Sequence, residues 1–393
     1  MENDNIITAV NNILQKNNSD AFLMRGDSND ADLYFSTHFL TSDPFTYVQT
    51  KGKTEILLVP DMEKGRAKME SRVLEIRTLE DYGYRTKVKA TKDGPLAYCE
   101  ILAELLQQED VRRILVPYDF PHYTAQTLKE RGFTVTPIQS PFREIRAQKS
   151  EAEIGNIRSV QNACEQAMGA AIEAISTADV VDGVLFEQDE ELTSQHIRAT
   201  IEHRLLDYGC EAESTIVACG KGSANPHWEG EGALLANEPI VIDIFPRSKT
   251  NRYYADMTRT VIRGTASDKL EDMYKAVVAA QDKGLEMVRP GVTCGEVHSA
   301  VCDELEKRGY ATTRNNSQVG FIHSTGHGVG LDIHEFPNVG DNDIALKEGN
   351  VITIEPGLYY PDVGGLRMED LVVVTTDGCE NLNHFEKNFV LSD

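Results

Sequence analysis

Five residues stand where ionisable side chains are costly: Asp243, Asp256, His327, Glu355 and Glu369 lie inside or at the end of apolar, strand-like runs such as VIDIF and ITIEP. A buried charge without compensation is strongly unfavourable, so such carboxylates need cations or partners. Taken singly, an acid at a strand end also fits a turn or a cap. Together, four carboxylates and one imidazole make a mainly oxygen donor set. It suits Mn²⁺, Co²⁺ or Fe²⁺, with Zn²⁺ possible, better than a closed thiolate zinc site would. Two such ions about 3.5 Å apart, bridged by shared carboxylates, can hold a hydroxide and polarise a carbonyl.

The elements that must position these groups follow from periodicity. Ile6 to Lys16 reads as an amphipathic helix, followed by strands at Ala21, Thr46 and Glu55; a helix from Ile101, a strand from Arg113, and a further helix and strand lead to Pro137. Apolar strands separated by helical segments predict a small N-terminal α/β domain over residues 1–142. The stretch from Ser140 breaks the pattern, so a second domain is expected over 143–393. It opens with a helix whose stripe, Ile154, Ile157, Val160, Cys164, Met168, Ile172 and Ile175, is core packing. A second helix, Thr193 to Tyr208, ends at Gly209, and strands follow at Thr215 and Pro239. The order then repeats: a helix from Asp268 to Val288, a Pro290-Gly291 break, a helix with Thr293 and Glu296 as its capping box, Gly309, and strands near Val351 and Val372. Two similar halves are expected, with facing strands building one shared sheet around one central site.

Four ordered motifs, VIDIFPRSKTNRYYADMTRT from Val241, HSTGHGVGLDIHEFP from His323, ITIEPGLYY from Ile352 and GGLRMED from Gly364, closely resemble those of the pita-bread metallopeptidases. The resemblance implies an α+β architecture: a pita-bread catalytic domain behind a smaller creatinase-type α/β domain, as in the aminopeptidase P, prolidase and creatinase branch. It also implies that Asp243 and Asp256 hold one metal, His327 and Glu355 hold the other, and Asp256 and Glu369 bridge them. His227, in NPHWEG, and His323, His334 and Arg367 match the family's substrate-binding groups. His334 would contact the scissile carbonyl or its tetrahedral intermediate, Glu355 would move protons, His227 would join them in catalysis, and Arg367 would buttress the site or the substrate end. His323 stands four residues before His327, a place where methionine aminopeptidases usually lack a histidine, which favours the Xaa-Pro cleaving enzymes. The expected function is metal-dependent hydrolysis of the bond before proline in short peptides, by a homodimer holding two divalent ions, Mn²⁺ first among them.

One feature departs from the family pattern. The two aspartates are 256 − 243 = 13 positions apart, two more than usual, and Phe245-Pro246 replaces a glycine. An even insertion can lengthen a hairpin without turning either aspartate to the wrong face.

Other chemistries fit poorly. His334-Glu335 lacks a second histidine at Asn338, and Pro337 spoils the helix a zincin needs. The glycines of GHGVGL have the wrong spacing for a dinucleotide loop. No GxSxG elbow occurs, and no cysteine lies in a pattern that suggests a thiol nucleophile. A metal-independent, creatinase-like hydrolase would have lost metal ligands, and a binding protein that keeps only the fold would not need His227, His323 and His334.

Composition sets the remaining bounds. The 393 residues fit two domains, and 40% hydrophobic with 26% charged residues describes a globular chain. Lys and Arg number 39 against 63 Asp and Glu, a net charge of −24 that repels polyanions and excludes nucleic acid as a partner. The seven cysteines are scattered without a CxxC pair and read as reduced, mostly structural thiols. The acidic, polar start at Met1 to Asp4 does not resemble a secretory signal, and no apolar run is long enough to span a membrane, so a cytoplasmic location is expected.

Overall fold

A computed structural model describes residues 2–52 and 54–391. The chain divides into two compact units, Met1–Arg146 and Ala147–Asp393.

The first unit is a six-stranded sheet: β1 (Ala21–Gly26), β2 (Phe45–Thr50), β3 (Glu55–Val59), β4 (Glu75–Thr78), β5 (Arg113–Pro117) and β6 (Thr134–Ile138), in the order β4-β3-β2-β1-β5-β6. The β1–β2 and β2–β3 pairs are antiparallel and the other three are parallel. Every residue of β2 is buried, as expected of a central strand covered on both faces. Helix α1 (Glu2–Lys16) buries Ile6, Val10 and Leu14, one residue per turn, and α2 (Gly94–Gln108) buries Ile101, Leu102, Leu105 and Leu106.

The second unit repeats one plan twice. Helices α3 (Glu151–Thr177) and α4 (Ser194–Asp207) precede β7 (Ile216–Cys219), β8 (Ile240–Ile244) and β9 (Met257–Arg263). Helices α5 (Asp268–Met287) and α6 (Cys294–Lys307) then precede β10 (Gly326–Gly328), β11 (Glu335–Val339), β12 (Val351–Ile354), β13 (Gly357–Tyr360), β14 (Gly364–Arg367) and β15 (Asp370–Val374). Along α3 the stripe is buried at Ile154, Ile157, Val160, Cys164, Met168 and Ile175, while Ile172 is half-buried. Thr293 and Glu296 form the reciprocal capping box at the start of α6, and Gly209 and Gly309 adopt positive φ just beyond α4 and α6, where a side chain would be strained.

The expectation of one shared sheet is not met. The strands form two larger hydrogen-bonded sheets, with β7-β8-β9 extended by Val390–Leu391 in one, and β11-β10-β12-β15 extended by Cys379–Asn381 in the other, while β13 and β14 pair with each other as a two-stranded hairpin. The sheets meet where Glu369 N–H donates to the Thr258 carbonyl at 3.2 Å. Fully buried Arg259 closes the same seam by donating to the carbonyls of Thr258, at 2.9 Å, and Glu369, at 2.7 Å, and to Asp370 at 2.8 Å. A small exposed sheet of Asp179–Val181, Val184–Glu187 and Glu190–Glu191 follows α3 and was not expected from the sequence. All seven cysteines are free, and among the described residues no helix is long and apolar enough to cross a membrane.

Candidate metal centre

Register decides which side chains share a face. The β8–β9 hairpin pairs Ile240 with Val261 and steps without a bulge to Ile244 with Met257. The same register continues through the hydrogen bond from Ala255 N–H to the Pro246 carbonyl (3.0 Å) and the bridge between Arg247 and Tyr254. Asp256 therefore lies across from Phe245, two residues along from Asp243, and the two aspartates point to one face. The longer hairpin is thus a regular extension, with its turn at Lys249 to Arg252. In the second sheet β12–β15 runs from Val351 with Val373 to Ile354 with Asp370, so the next step sets Glu355 opposite Glu369. His327 is the middle residue of β10, whose Gly328 pairs with Ile352.

These strand ends converge. Side-chain ligand atoms of Asp256, His327 and Glu369 lie within 4.8 Å of one another, and all three residues are buried. His327 Nε2 is 3.6 Å from Asp256 Oδ2 and 3.5 Å from Glu355 Oε1. Glu369 accepts from Thr258 Oγ1 at 2.7 Å, and Asp243 accepts from Arg367 Nη2 at 2.6 Å. Arg367 is buried and spends its other nitrogens on Thr258 Oγ1 (3.1 Å) and the Tyr359 hydroxyl (2.8 Å). It braces the aspartate in this arrangement.

His323 is tied to the same network. Its Nδ1 faces the Ser324 carbonyl at 2.8 Å, an acceptor, so Nδ1 carries the proton and Nε2 is left to accept from Tyr359 Oη at 3.1 Å. Burial pushes the Tyr359 hydroxyl up to about 12, so it stays a donor. His334 is exposed, its ring 4.2 Å from that of His327 and nearly perpendicular to it. His227 is exposed in its loop, where its N–H donates to Asn225 Oδ1 at 3.3 Å.

The electrostatics test whether cations fit. Burial, then repulsion from Glu369, Asp243 and Glu355, raises the Asp256 carboxyl far above its ordinary range. Burial and Glu369 do the same to Glu355, while burial and Asp243 push Glu369 up to about 8. His327 cannot compensate, because burial and then His334 lower it to about 3 and leave it neutral. Ionised together, the four carboxylates would face one guanidinium, a deficit of 4 − 1 = 3 positive charges, and the raised hold of Asp256, Glu355 and Glu369 on protons is the response to burial and to that deficit. Asp243 Oδ1 and Asp256 Oδ1 are buried without a hydrogen-bond partner among the described residues. A donor set of unpartnered carboxylate oxygens, a neutral imidazole and a surplus of negative charge fits divalent cations.

Several supporting residues escaped the sequence reading. Thr258, Tyr359 and the buried His298, whose Nδ1 meets Thr325 Oγ1 at 2.9 Å, all act on ligand-bearing segments. So do two fully buried glutamines. Gln161 Oε1 accepts from Asp256 N–H at 3.3 Å, and Gln281 Nε2 donates to the Ile354 carbonyl at 3.1 Å. Tyr359 and Thr258 stood in quoted motifs, but without a sign of their role; the others lie 27 to 95 positions from their partners and leave no local signal.

Comparison with known proteins adds independent findings. Residues 155–376 match metallopeptidase family M24, and residues 7–148 match the creatinase/prolidase N-terminal domain. The chain is 30% identical over 352 residues to an Xaa-Pro dipeptidase of Pyrococcus furiosus, with 88% of each chain covered. Its fold is similar to the solved prolidase from Pyrococcus furiosus, with TM-score 0.79 and 26% identity, covering 96% of this chain and 99% of that one. It is also similar to an X-Pro aminopeptidase from Thermotoga maritima, with TM-score 0.76 and 25% identity, covering 95% and 98%.

Proposed function

The chain belongs to metallopeptidase family M24, and from that premise we propose that it is a metal-dependent Xaa-Pro peptidase hydrolysing the bond before proline in short peptides. The observation that carries this reading is the enclosure of Asp243, Asp256, Glu355 and Glu369 with neutral His327 and a single guanidinium. Asp243 and Asp256 would hold one divalent ion, His327 and Glu355 the other, with Asp256 and Glu369 shared; Mn²⁺ is the proposed metal. When bound, the ions supply Lewis-acid activation of water and of the scissile carbonyl.

The chain's own groups do the rest. His334, whose hold on a proton is lowered by the protein packed against part of its ring and then by His227, can donate a ring N–H to the oxyanion that develops on the carbonyl oxygen. Glu355 combines partial exposure, 15% of its side chain, with a raised affinity for protons, the pairing a carboxylate needs to pass a proton toward the leaving proline nitrogen. His227 and His323 contribute to the substrate face, and Arg367, through Asp243 and Tyr359, holds the frame in register. A homodimer located in the cytoplasm completes the proposal, and a monomer in light scattering would remove its first part.

The deciding experiment supplies the protein with Mn²⁺ and compares Ala-Pro with Ala-Pro-Ala. Cleavage of the dipeptide alone assigns a prolidase, cleavage of the tripeptide an aminopeptidase P. Hydrolysis of neither overturns the reading.

A further inference from the structure

Lys149 and Glu335 form an ion pair at 2.5 Å with side chains only 1% and 7% exposed, outside the carboxylate cluster. An ion pair so enclosed carries a desolvation cost that a well-packed apolar pair avoids. What it adds is direction, because the ammonium fixes where the carboxylate points.

Both ends of the pair are anchored. The Lys149 N–H donates to the Gly349 carbonyl at 2.9 Å, and the neighbouring Ala147 carbonyl accepts from Asn350 Nδ2 at 2.8 Å. Ser150, the next residue, caps α3 with a reciprocal Glu153 box. The lysine is therefore pinned to the turn just before β12, the strand that leads to Glu355.

Glu335 opens β11 and pairs with Gly328, beside His327. Between them the loop 329–334 doubles back so closely that a Cβ on Gly330 would lie 2.4 Å from Glu335 Oε1. Tyr254 N–H fixes the loop's other limb through the Gly330 carbonyl at 2.8 Å. His334 is the last residue of this loop. Its ring is exposed and edge-on to His327, so its aim depends on the backbone on either side of it.

We propose that Lys149, through Glu335, is a positioning residue for His334: the buried pair sets the loop 329–334 at the height that places the imidazole over the reacting carbonyl. This rests on the role proposed for His334 above.

Two variants test it from opposite sides. Lys149→Met removes the cation, whereas Gly330→Ala keeps both charges and pushes the flexible end of Glu335 aside. Each Mn²⁺-loaded protein is assayed on Ala-Pro for kcat and KM, with metal content and melting temperature measured in parallel. A misplacement of about 1 Å can cost up to about a hundredfold, so kcat per folded, metal-loaded molecule should fall about ten- to a hundredfold with metal content unchanged. Should Lys149→Met fail to fold, Gly330→Ala decides alone. In a His334→Ala background neither change should lower kcat further, because the group they position is gone.

A lower melting temperature with normal kcat would reduce the pair to a structural role and overturn the inference, as would losses that add to that of His334→Ala. Near-normal kcat in His334→Ala itself sinks the underlying role instead. Slow His334→Ala with normal Gly330→Ala and Lys149→Met sinks only the positioning.

Discussion

In the first half of the catalytic unit, Asp243 and Asp256 come from one unbroken hairpin, 13 residues apart, and their shared face follows from register alone. In the second half, Glu355 and Glu369 are 369 − 355 = 14 residues apart and face each other only because the hairpin of β13 and β14 leaves and returns between them. The helical support repeats as well, since α3 and α5 each bury a glutamine against ligand-bearing backbone. What does not repeat is the chemistry. His323, His327, His334, Tyr359 and Arg367 all belong to the second half, whereas the first adds His227 to its two carboxylates. Duplicated scaffolding supplies a frame of negative charge. The asymmetric additions make it a site.

The sharpest way to break this comparison is at the seam. Glu369 belongs to the second half yet accepts a hydrogen bond from Thr258 of the first, and its backbone joins the two sheets. Glu369→Ala should lose bound metal and, with it, several kcal/mol of charge stabilisation, so turnover should fall by more than about a thousandfold, to the level of chelated wild-type protein. Elemental analysis that finds full occupancy in this variant would show that Glu369 does not bridge the halves.

A smaller effect separates frame from chemistry. His334→Ala should keep its metal and fold but turn over about 10² to 10³ times more slowly, the usual loss for one oxyanion donor. If excess Mn²⁺ restored the rate, His334 would belong with the ligands. A near-normal kcat at saturating Mn²⁺ would take it out of the chemistry altogether.

The sequence made some of this visible and hid the rest for physical reasons. The carboxylates could be found because a charge inside VIDIF or ITIEP violates the pattern around it. The helices could be read from their period of 3.6. The separate sheets could not, since a seam closed by Glu369 N–H and Arg259 is a fact of tertiary pairing between residues about 110 positions apart. Lys149 and Gln281 look like ordinary surface or helix residues until their distant partners are known, and Thr258, though inside a quoted motif, reads as an ordinary strand threonine until Glu369 is set beside it. The exposed sheet near Val184 did leave a signal, the Asp182-Gly183 pair, both at positive φ and joining two antiparallel strands. Its flanks are too acidic and too exposed to alternate, so the pattern gave no strand.

The smallest expected effect sharpens the comparison between the halves. Gln161 and Gln281 are both fully buried, but their amides are turned in opposite senses. Asp256 N–H is a donor, so Gln161 must present its oxygen; the Ile354 carbonyl is an acceptor, so Gln281 must present its nitrogen. In each case the other end of the amide has no hydrogen-bond partner among the described residues. Gln→Leu at either position therefore removes one made bond and one unmet polar atom together. The backbone group left behind costs about 1 to 3 kcal/mol, partly offset by relief of the unpartnered amide end, so each variant should lose about 1 kcal/mol of stability. The two should differ in function. Gln161 supports the backbone of Asp256, proposed above as a metal ligand, whereas Gln281 supports the residue before Glu355, proposed as another. Gln161→Leu should weaken Mn²⁺ binding by about tenfold, the lower end for loss of a group that orients a ligand, and Gln281→Leu by less. Titrating Mn²⁺ into the metal-free proteins by calorimetry, beside their urea midpoints, measures both quantities. Equal affinities with equal loss of stability would mean that the two glutamines are interchangeable supports and that the halves differ only in the groups they carry.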